Sequence, residues 1–249
     1  MVGSGVALVT GAARGLGAAI ARRLAADGWA VAIDDHGANA ERGLRLAEEI
    51  CADGGVAEGF VADVTDEAAV ADLVDRIGVR LGPVDVLVVN ATGPQPMVAV
   101  DDLTWPVLLD QLLFFVKSPT LLLRAVLPDM RARRRGRIVQ IGSDIVERSP
   151  AHMSAYVAAK AAQHGLTRSW ARELGPSGIT VNLVAPGWIP VERHAGASDA
   201  ELRDYLADVP VGRFGLPDDV AAVVSFLASD AAAFVNGERI TVNGGHTID

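Results

Sequence analysis

The sequence predicts an α/β fold in which helices cover both faces of one parallel sheet. Short apolar runs with the character of strands alternate with longer Ala- and Leu-rich runs at helical spacing, from VALVT to ITVNGG. Half of the 249 residues are apolar, which is enough for a large buried core. This alternation is typical of βαβ units, so we expect a single doubly wound domain over residues 1–249 with about seven strands.

Seven apolar runs are predicted as strands: Val6–Thr10, Ala30–Asp34, Val56–Asp63, Asp85–Asn90, Gly136–Ser143, GITVNLVAP and RITVNGG. Helices are expected over Gly17–Gly28, Ala38–Ala52, Glu67–Leu81, Leu108–Arg134, Ser154–Leu174 and the PDDVAAVVSFLAS run that opens at Pro217. Pro119 predicts an interruption or a kink in the long helix. Residues 191–216 are polar and mixed, which predicts a mobile inserted segment beside the substrate.

Composition narrows the classes of function. The net charge of −9 and the pI near 5.0 give no general attraction to nucleic acid or to an anionic membrane surface. A single cysteine, Cys51, excludes an internal disulfide, and the five histidines show no metal-ligand spacing. The first apolar run, Val6–Val9, is too short for a signal peptide or a membrane span. We expect a cytoplasmic protein with no metal.

The arginine-rich run Arg131–Arg137 is typical of a helix C-terminus, and a nucleic-acid patch is the alternative.

A glycine-rich turn, TGAARGLG, follows the first strand and opens the first helix. Gly11, Gly15 and Gly17 allow a tight turn and a close approach to a pyrophosphate, which a helix N-terminus attracts. The spacing Gly-x3-Gly-x-Gly differs from the common GxGxxG, and a merely tight turn is the alternative. Its place between strand and helix predicts dinucleotide binding.

The next strand ends carry candidate groups for the adenosine half of that cofactor. Asp34 or Asp35, in IDDHG, would bond the ribose hydroxyls and repel a 2′-phosphate, and Asp35 fits the strand end better. A helix N-terminal acid is the alternative. Arg14 argues the other way, because it would meet a 2′-phosphate. NAD(H) is therefore favoured, with NADP(H) as the alternative.

Two further strand ends contribute to the predicted site. Asp63 and Val64, in ADVTD, would hold the adenine ring as an acceptor beside an apolar wall, while Thr65 or Asp66 would cap the next helix. The NATG run, Asn90–Gly93, is another close-approach turn.

Tyr156 and Lys160 stand four residues apart in the alanine-rich run SAYVAAKAA, so they share one helix face. An ammonium beside a phenol lowers the pKa of the tyrosine, which can then give or take a proton near neutral pH. Ser143 ends the fifth strand and would meet the same substrate oxygen. An ordinary exposed pair on a helix is the alternative.

Together these motifs resemble the short-chain dehydrogenase/reductase family in its compact single-domain form, and within it the 3-oxoacyl-acyl-carrier-protein reductases. The resemblance covers nearly the whole chain. TGAARGLG is similar to the family's cofactor loop, and NATG to its NNAG segment, with Ala91 and Thr92 substituted. APGWI, Ala185–Ile189, is similar to the segment that approaches the nicotinamide, and GRFGLPDDVA and ITVNGG to the C-terminal hallmarks.

The resemblance implies a Rossmann fold and hydride transfer between a nicotinamide and a ketone or secondary alcohol. Tyr156 would be the general acid or base, Lys160 would lower its pKa and hold the nicotinamide ribose, and Ser143 would bond the substrate oxygen. It also implies a homotetramer or homodimer built on regions 106–134 and 152–175. The implied cofactor-binding residues are Gly11, Arg14, Gly15, Leu16, Gly17, Asp35, Asp63, Val64, Asn90, Ala91, Gly93, Tyr156, Lys160, Pro186, Gly187 and Ile189.

One departure from the family keeps two other functions open. Most members carry an asparagine in the long helix that holds a relay water, and this chain has none between Asn90 and Asn182. Leu112 or Phe115 stands at its place, and Gln111 is a candidate for compensation. The alternatives are a weakly active cofactor-binding homologue and a non-redox enzyme, a dehydratase or epimerase, with an acid or base among Asp144, Glu147 and His152.

The sequence offers candidates for the lining of the substrate pocket. The pocket is expected to be lined by Pro94–Val100, residues 144–153, Trp188 and residues 191–208. Arg148, Arg193 and His194 are candidates for contact with an anionic substrate, and solvated surface positions are the alternative.

Overall fold

The computed structural model describes residues 5–192, 196 and 198–248. The strands in this part of the chain form one parallel sheet: β1 (Val6–Thr10), β2 (Ala30–Asp35), β3 (Val56–Val61), β4 (Val84–Val89), β5 (Gly136–Ile141), β6 (Ile179–Pro186) and β7 (Arg239–Val242). Their order across the sheet is β3-β2-β1-β4-β5-β6-β7. The chain therefore winds outward from β1 on one side and from β4 on the other, which is the predicted doubly wound arrangement.

Helices cover both faces of the sheet. Within the described residues they are α1 (Gly15–Ala26), α2 (Ala40–Ala52), α3 (Glu67–Arg80), α4 (Trp105–Leu112), α5 (Ser118–Arg133), α6 (Ile145–Arg148), α7 (Ser154–Leu174), α8 (Asp199–Ala207) and α9 (Pro217–Ala228). Short 3-10 turns lie at Gly37–Asn39, Val100–Asp102, Gly175–Ser177 and Asp230–Ala232. The predicted third and fifth strands end two residues earlier than expected, at Val61 and Ile141. After β5 the chain leaves the sheet to line a cavity with Gly142 and Ser143, whereas after β3 it enters a local turn in which Asp63 bonds Thr65.

Consecutive side chains of the central strands alternate between two buried faces. Leu8 packs in a cluster with α3, α5 and α7, whereas Val9 packs in a cluster with α1, α2 and α9, and both residues are fully buried. A strand that is buried on both faces needs a nearly continuous apolar run rather than an alternating one. VALVT has this character, and the predicted α/β fold is confirmed.

The predicted long helix is one continuous helical region, Trp105–Arg133, with an irregularity inside it. A π-helical segment, Leu113–Lys117, separates α4 from α5. Pro119 lies at the start of α5, and Pro128 lies inside α5 without ending it. The irregularity therefore precedes Pro119. π-helical segments often occur at functional sites, because they re-aim the side chains they carry.

By length and composition alone, this helical region is apolar enough to cross a membrane, with a mean hydropathy of 1.4 over an 18-residue window. Within the structure, 39% of that window is buried. Leu122, Val126 and Met130 of α5 pack in the core below the sheet. Core helices of soluble proteins pass the same test, so this one helix is weak evidence for a membrane span.

Residues 191–216, which the sequence predicted as a mobile segment, contain helix α8. A capping box begins it: the Ser198 hydroxyl accepts from the N–H of Glu201 (3.3 Å), and the Glu201 carboxylate accepts from the N–H of Ser198 (2.9 Å). The Ser-x-x-Glu pattern in the sequence is the signal for this helix start. Arg193 and His194, considered for an anionic substrate, lie outside the described residues.

The arginine-rich run Arg131–Arg137 lies between α5 and β5. Its members contact acceptors of this chain: Arg131 with Glu173 (3.4 Å), Arg133 with Asp85, Arg134 with the carbonyl of Pro176 (2.8 Å), and Arg135 and Arg137 with Asp230 (3.8 and 3.4 Å). Contacts within the chain therefore account for the run at the end of a helix.

Candidate active site

The winding direction of the chain reverses between β1 and β4, and the crevice at their carboxyl ends opens into a cavity of about 560 Å³. Residues that follow β1, β2, β4, β5 and β6 line it, from Asp35 at one end to Met153 at the other. The volume is typical of a small-molecule site. Most of the predicted site residues border this cavity: Gly11, Arg14, Gly15, Leu16, Gly17, Asp35, Asn90, Ser143, Tyr156, Lys160, Pro186, Gly187 and Ile189.

Thr10 and Asn90 join the ends of β1 and β4. Oγ1 of Thr10 accepts hydrogen bonds from the backbone N–H groups of Asn90 and Ala91, both at 3.1 Å. Nδ2 of Asn90 donates to the backbone oxygens of Thr10 (2.9 Å) and Gly11 (3.0 Å). These hydrogen bonds hold the NATG turn against the glycine-rich turn, so that both form one floor of the cavity.

The backbone of the glycine-rich turn forms a wall with no room for side chains. Gly11 has φ +62°, and a Cβ there would lie 2.7 Å from Cα of Ala91. A Cβ at Gly17 would lie 2.6 Å from Nδ2 of Asn90. No side chain caps α1 after Arg14, and its first turn has no acidic residue. The N–H groups of that turn and the positive end of the helix dipole therefore fit a pyrophosphate.

The two aspartates at the end of β2 have different environments. The carboxylate of Asp35 lines the cavity and accepts hydrogen bonds from the N–H groups of Ala13 (3.1 Å) and His36 (2.9 Å) and from Nδ2 of Asn39 (2.9 Å). Asp34 is 1% exposed, and neither of its carboxylate oxygens has a hydrogen-bond partner. Burial, followed by the charge of Asp35, raises the pKa of Asp34 well above its usual value. Of the two candidates, Asp35 is the one that faces the cavity.

Four of the predicted cofactor residues do not line the cavity: Asp63, Val64, Ala91 and Gly93. Asp63 is exposed, and its Oδ1 accepts from the N–H (2.8 Å) and the hydroxyl (2.7 Å) of Thr65, which lower its pKa. Val64 is buried in the core. Asp63 thus forms a local turn, and Ala91 contributes its N–H to the floor described above.

Ser143, Tyr156 and Lys160 border the same part of the cavity, as the sequence predicted. Helix α7 places Tyr156 and Lys160 one turn apart, and they are only 7% and 5% exposed, so they are not an ordinary exposed pair. Nζ of Lys160 lies 5.8 Å from the centroid of the Tyr156 ring. The hydroxyl of Ser143 accepts a hydrogen bond from the N–H of Ile145 (3.1 Å), which leaves its hydrogen available to a substrate oxygen.

The ammonium of Lys160 is surrounded by groups of this chain. Nζ donates to the backbone oxygen of Ile141 (2.7 Å) and to Oε1 of Gln163 (3.2 Å). It also lies 4.0 Å from the ring centroid of Phe115, a distance typical of a cation–π contact. Phe115 meets the Tyr156 ring edge-on, with centroids 5.4 Å apart. The oxygen acceptors of Ile141 and Gln163 and the aromatic ring of Phe115 therefore help to stabilise the buried charge.

The sequence left open whether Leu112 or Phe115 stands where the family's relay asparagine is expected. Phe115 is the one that contacts Lys160. The π-helical segment carries Phe115 onto Lys160 and Tyr156, whereas Leu112 packs at the edge of the same cluster. Gln111 donates its Nε2 to the backbone oxygen of Pro94 (2.8 Å), so its amide braces the loop after β4. Gln163 was missed, although its spacing of three residues from Lys160 places it on the same helix face.

A second polar cluster lies beside the cavity around the fully buried carboxylate of Asp144, and its member that lines the cavity is Arg148. Oδ1 of Asp144 accepts from Nε of Arg148 (3.0 Å), and its Oδ2 accepts from Nδ2 of Asn243 (3.3 Å) and lies 3.4 Å from Nδ1 of His246. Glu147 pairs with Arg239 (2.7 Å). The two carboxylates considered for non-redox chemistry are thus committed to structural contacts. His152, the third candidate, is exposed with φ +67°.

Tyr205 of α8 packs behind the cavity lining against Trp188 and Arg148, and the sequence did not single it out. Its ring stacks on Phe214 (centroids 5.7 Å apart, planes at 7°) and lies 5.8 Å from the Arg148 guanidinium carbon. Its hydroxyl accepts the N–H of Trp188 (2.7 Å). Burial raises the pKa of Tyr205, so it remains a neutral phenol near neutral pH.

Comparison with known proteins matches this arrangement. A family model described as enoyl-(acyl carrier protein) reductase matches residues 11–247. The chain belongs to the short-chain dehydrogenase/reductase family. It is 39% identical to the 3-oxoacyl-[acyl-carrier-protein] reductase FabG of Escherichia coli (strain K12) over 245 residues, which are 96% of each chain.

Two solved structures extend the comparison. A 3-oxoacyl (acyl-carrier-protein) reductase from Agrobacterium tumefaciens with NADP bound has a TM-score of 0.87 and 36% identity, covering 98% of this chain and 95% of that one. A putative NAD(P)-dependent gluconate 5-dehydrogenase from Beutenbergia cavernae with bound NADP at low occupancy has a TM-score of 0.91 and 33% identity, covering 98% and 97%.

This short-chain dehydrogenase/reductase is an NAD(P)-dependent oxidoreductase that acts on a CH–OH/C=O pair with a nicotinamide cofactor. The predicted class of activity is confirmed. Family membership does not favour a non-catalytic or a non-redox role.

Proposed function

We propose that this enzyme interconverts a small ketone and its secondary alcohol, with Tyr156 as general acid in reduction and general base in oxidation. The proposal rests on the meeting of Ser143, Tyr156 and Lys160 at one end of a cavity whose other end suits a dinucleotide. When bound, the nicotinamide supplies or accepts the hydride.

The residues of the chain would handle the proton and the developing charge. Ser143 donates a hydrogen bond to the carbonyl oxygen and holds it beside Tyr156. As that oxygen gains negative charge, Tyr156 gives it the phenolic proton, and in oxidation the transfer reverses. Lys160, held by Ile141 and Gln163, remains an ammonium that stabilises the phenolate.

The residues along the rest of the cavity fit the cofactor. The first turn of α1, Gly15–Gly17, would bind the pyrophosphate, and Pro186–Ile189 would border the nicotinamide. Lys160 would also bind the nicotinamide ribose, and the floor around Asn90 would support it. Asp63 and Val64 remain candidates for the adenine end, although they lie outside the cavity wall.

NADH is the proposed cofactor, because the buried carboxylate of Asp35 lies where it would meet the 2′ position of the ribose. A 2′-phosphate there would meet a carboxylate with like charge. NADPH is the second candidate: Arg14 and Arg42 border an open depression on the outside of α1 and α2, and the two structural relatives have NADP bound.

The decisive experiment measures NADH and NADPH binding by fluorescence, followed by turnover of a panel of ketones and alcohols. We expect tighter binding of NADH and turnover that Tyr156→Phe abolishes while leaving cofactor binding intact, because the ring and its packing on Phe115 are kept. Full activity of Tyr156→Phe would overturn the proposed role, and tighter NADPH binding would overturn the proposed cofactor.

We also propose that the chain forms one domain and assembles as a homotetramer or homodimer through α4, α5 and α7 in the cytoplasm. Trp105 and Leu109 are large exposed apolar residues on α4. A monomer by light scattering at working concentration would contradict this assembly.

A further inference from the structure

The substrate end of the cavity is nearly free of charge. Apart from the catalytic Lys160, the one charged side chain there among the described residues is Arg148. Its neighbours are neutral, and they include Thr92, Gln95 and Met97. The acidic lining residues, Asp35 and Glu192, belong to the cofactor end, next to the glycine-rich turn.

Arg148 is held in one orientation. Its Nε donates to Oδ1 of Asp144 (3.0 Å), a carboxylate that is 0% exposed and itself fixed by Asn243. Its guanidinium lies 5.8 Å from the ring centroid of Tyr205. Neither Nη group makes a hydrogen bond to another described residue. A guanidinium whose Nε is used and whose face is packed presents its two Nη donors in a fixed plane, so little entropy is lost when they bind a ligand.

We propose that Arg148 binds a carboxylate of the substrate, so that this enzyme acts on oxo acids and hydroxy acids rather than on neutral ketones and alcohols. Two parallel N–H donors match a carboxylate in spacing and charge. Asp144 does not compete for the substrate, because it is fully buried behind Arg148 and its second oxygen is taken by Asn243 and His246. The inference rests on the proposed function, since it concerns the substrate of the same catalytic residues.

The position of the carboxylate also has a catalytic consequence. Arg148 lines the same cavity as Ser143 and Tyr156, so an acid anchored at one end presents its carbonyl or hydroxyl to the catalytic pair at a defined distance. An acid whose oxo group is at the wrong chain position should then bind without reacting.

The test uses matched pairs of substrates, each an oxo acid and its methyl ester, with the wild-type enzyme and the better-binding nicotinamide cofactor. We expect kcat/KM for the acid to exceed that for the ester by about tenfold to hundredfold, as expected for charge-assisted hydrogen bonds. In Arg148→Met the acid should lose this advantage, mainly because its KM rises. The kcat/KM for the ester should change by less than about threefold. Arg148→Lys should recover part of it, because it keeps the charge and loses the fork. Arg124→Met, an exposed arginine paired with Glu67, serves as the control and should change neither substrate.

The outcomes distinguish the carboxylate site at Arg148, called the anchor here, from the proposed function. Equal turnover of acid and ester by the wild type, with equal effects of Arg148→Met on both, would overturn the anchor and leave the ketoreductase assignment in place. If the wild type binds cofactor but turns over no pair, the proposed function fails. Calorimetric binding of the acid would then judge the anchor alone: binding that Arg148→Met removes supports it, and binding that persists refutes it. If Arg148→Met does not fold, the wild-type ratio of acid to ester decides.

Discussion

The glycine-rich turn after β1, called the cofactor edge below, and the surroundings of Lys160 border the same cavity, but they are built in different ways. At the cofactor edge the backbone forms the wall, and Gly11 and Gly17 are required because no Cβ fits against Ala91 or Asn90. Around Lys160 the ammonium contacts groups of three elements: the ring of Phe115, the backbone oxygen of Ile141 and the side-chain oxygen of Gln163. A backbone wall leaves a recognisable sequence, whereas a wall of side chains can be rebuilt with other residues.

The two kinds of wall place different demands on the sequence. A buried ammonium needs acceptors, and an amide oxygen, a carbonyl oxygen or an aromatic face can each supply part of that need. A close approach of two backbones needs the absence of a side chain, and only glycine provides it.

The largest expected effect is at the backbone wall. Gly17→Ala would place a Cβ 2.6 Å from Nδ2 of Asn90 and against the backbone oxygen of Gly11. Because that backbone is held by the Thr10 and Asn90 hydrogen bonds, we expect a loss of about 1–3 kcal/mol in the free energy of unfolding and at least about tenfold weaker nucleotide binding. Chemical denaturation and fluorescence titration measure the two.

Gly78→Ala is the matched control for this substitution. Gly78 lies inside α3 with ordinary backbone angles and open space around its Cα, so alanine should stabilise the protein by about 0.5–1 kcal/mol. Unchanged nucleotide binding in Gly17→Ala would contradict the idea of a backbone wall.

A smaller and different effect is expected beside Lys160. Gln163→Leu removes one of the acceptors of the buried ammonium, so the phenolate of Tyr156 loses part of its stabilisation. For alcohol oxidation, in which Tyr156 must lose its proton, we expect the acidic limb of the kcat/KM profile to move to higher pH by about 0.5–1 unit. Steady-state rates between pH 6 and about 10 measure this shift.

Two further variants distinguish an effect of Gln163 on Lys160 and Tyr156 from a general loss of protein stability. Gln163→Glu keeps an acceptor oxygen but adds a negative charge that opposes the phenolate, so it should move the acidic limb to higher pH than Gln163→Leu does. Gln140→Leu removes a buried amide that bonds Thr167, and it should lower stability without moving the profile. If Gln163→Leu lowers stability but leaves the profile in place, Gln163 has only a structural role.

The smallest effect is expected at Asp34, which adjoins the cofactor edge without lining it. Burial raises the folded-state pKa of Asp34, so protonation favours the folded state. This contribution is fully present below the unfolded pKa of about 3.9 and is lost as the pH rises through the folded pKa. Asp34→Asn removes the ionisable carboxyl, whose burial in its charged form is unfavourable, and we expect it to raise the free energy of unfolding at pH 7 by about 1 kcal/mol.

The pH dependence tests the sign of that effect. The advantage of Asp34→Asn over the wild type should grow as the pH rises from about 4 and then level off. Asp35→Asn should instead lose stability, because the carboxylate of Asp35 accepts three hydrogen bonds. Equal effects of the two substitutions would show that the two environments do not differ as described.

Much of the fold and part of the site followed from local patterns. The strand–helix alternation predicted the parallel sheet, and the glycine turn, Asp35 and the Tyr156–Lys160 spacing predicted residues that meet at the cavity. Asp63 and Val64 were placed at the cavity from strand position alone, and they lie outside its wall. Tyr205 was missed because its role depends on Trp188 and Arg148, which are far from it in the sequence.

By itself the sequence determined the order of strands and helices, the glycine-rich turn and the placement of Tyr156 and Lys160 on one helix face, because these depend on residues close together in the chain. Only the tertiary structure decided that Phe115, rather than Leu112, faces Lys160, because a π-helical segment sets the rotation of that helix. It also decided that Asp144 is the buried partner that orients Arg148 toward the cavity. Contacts between distant elements depend on the packing of whole helices, and no short pattern encodes that packing.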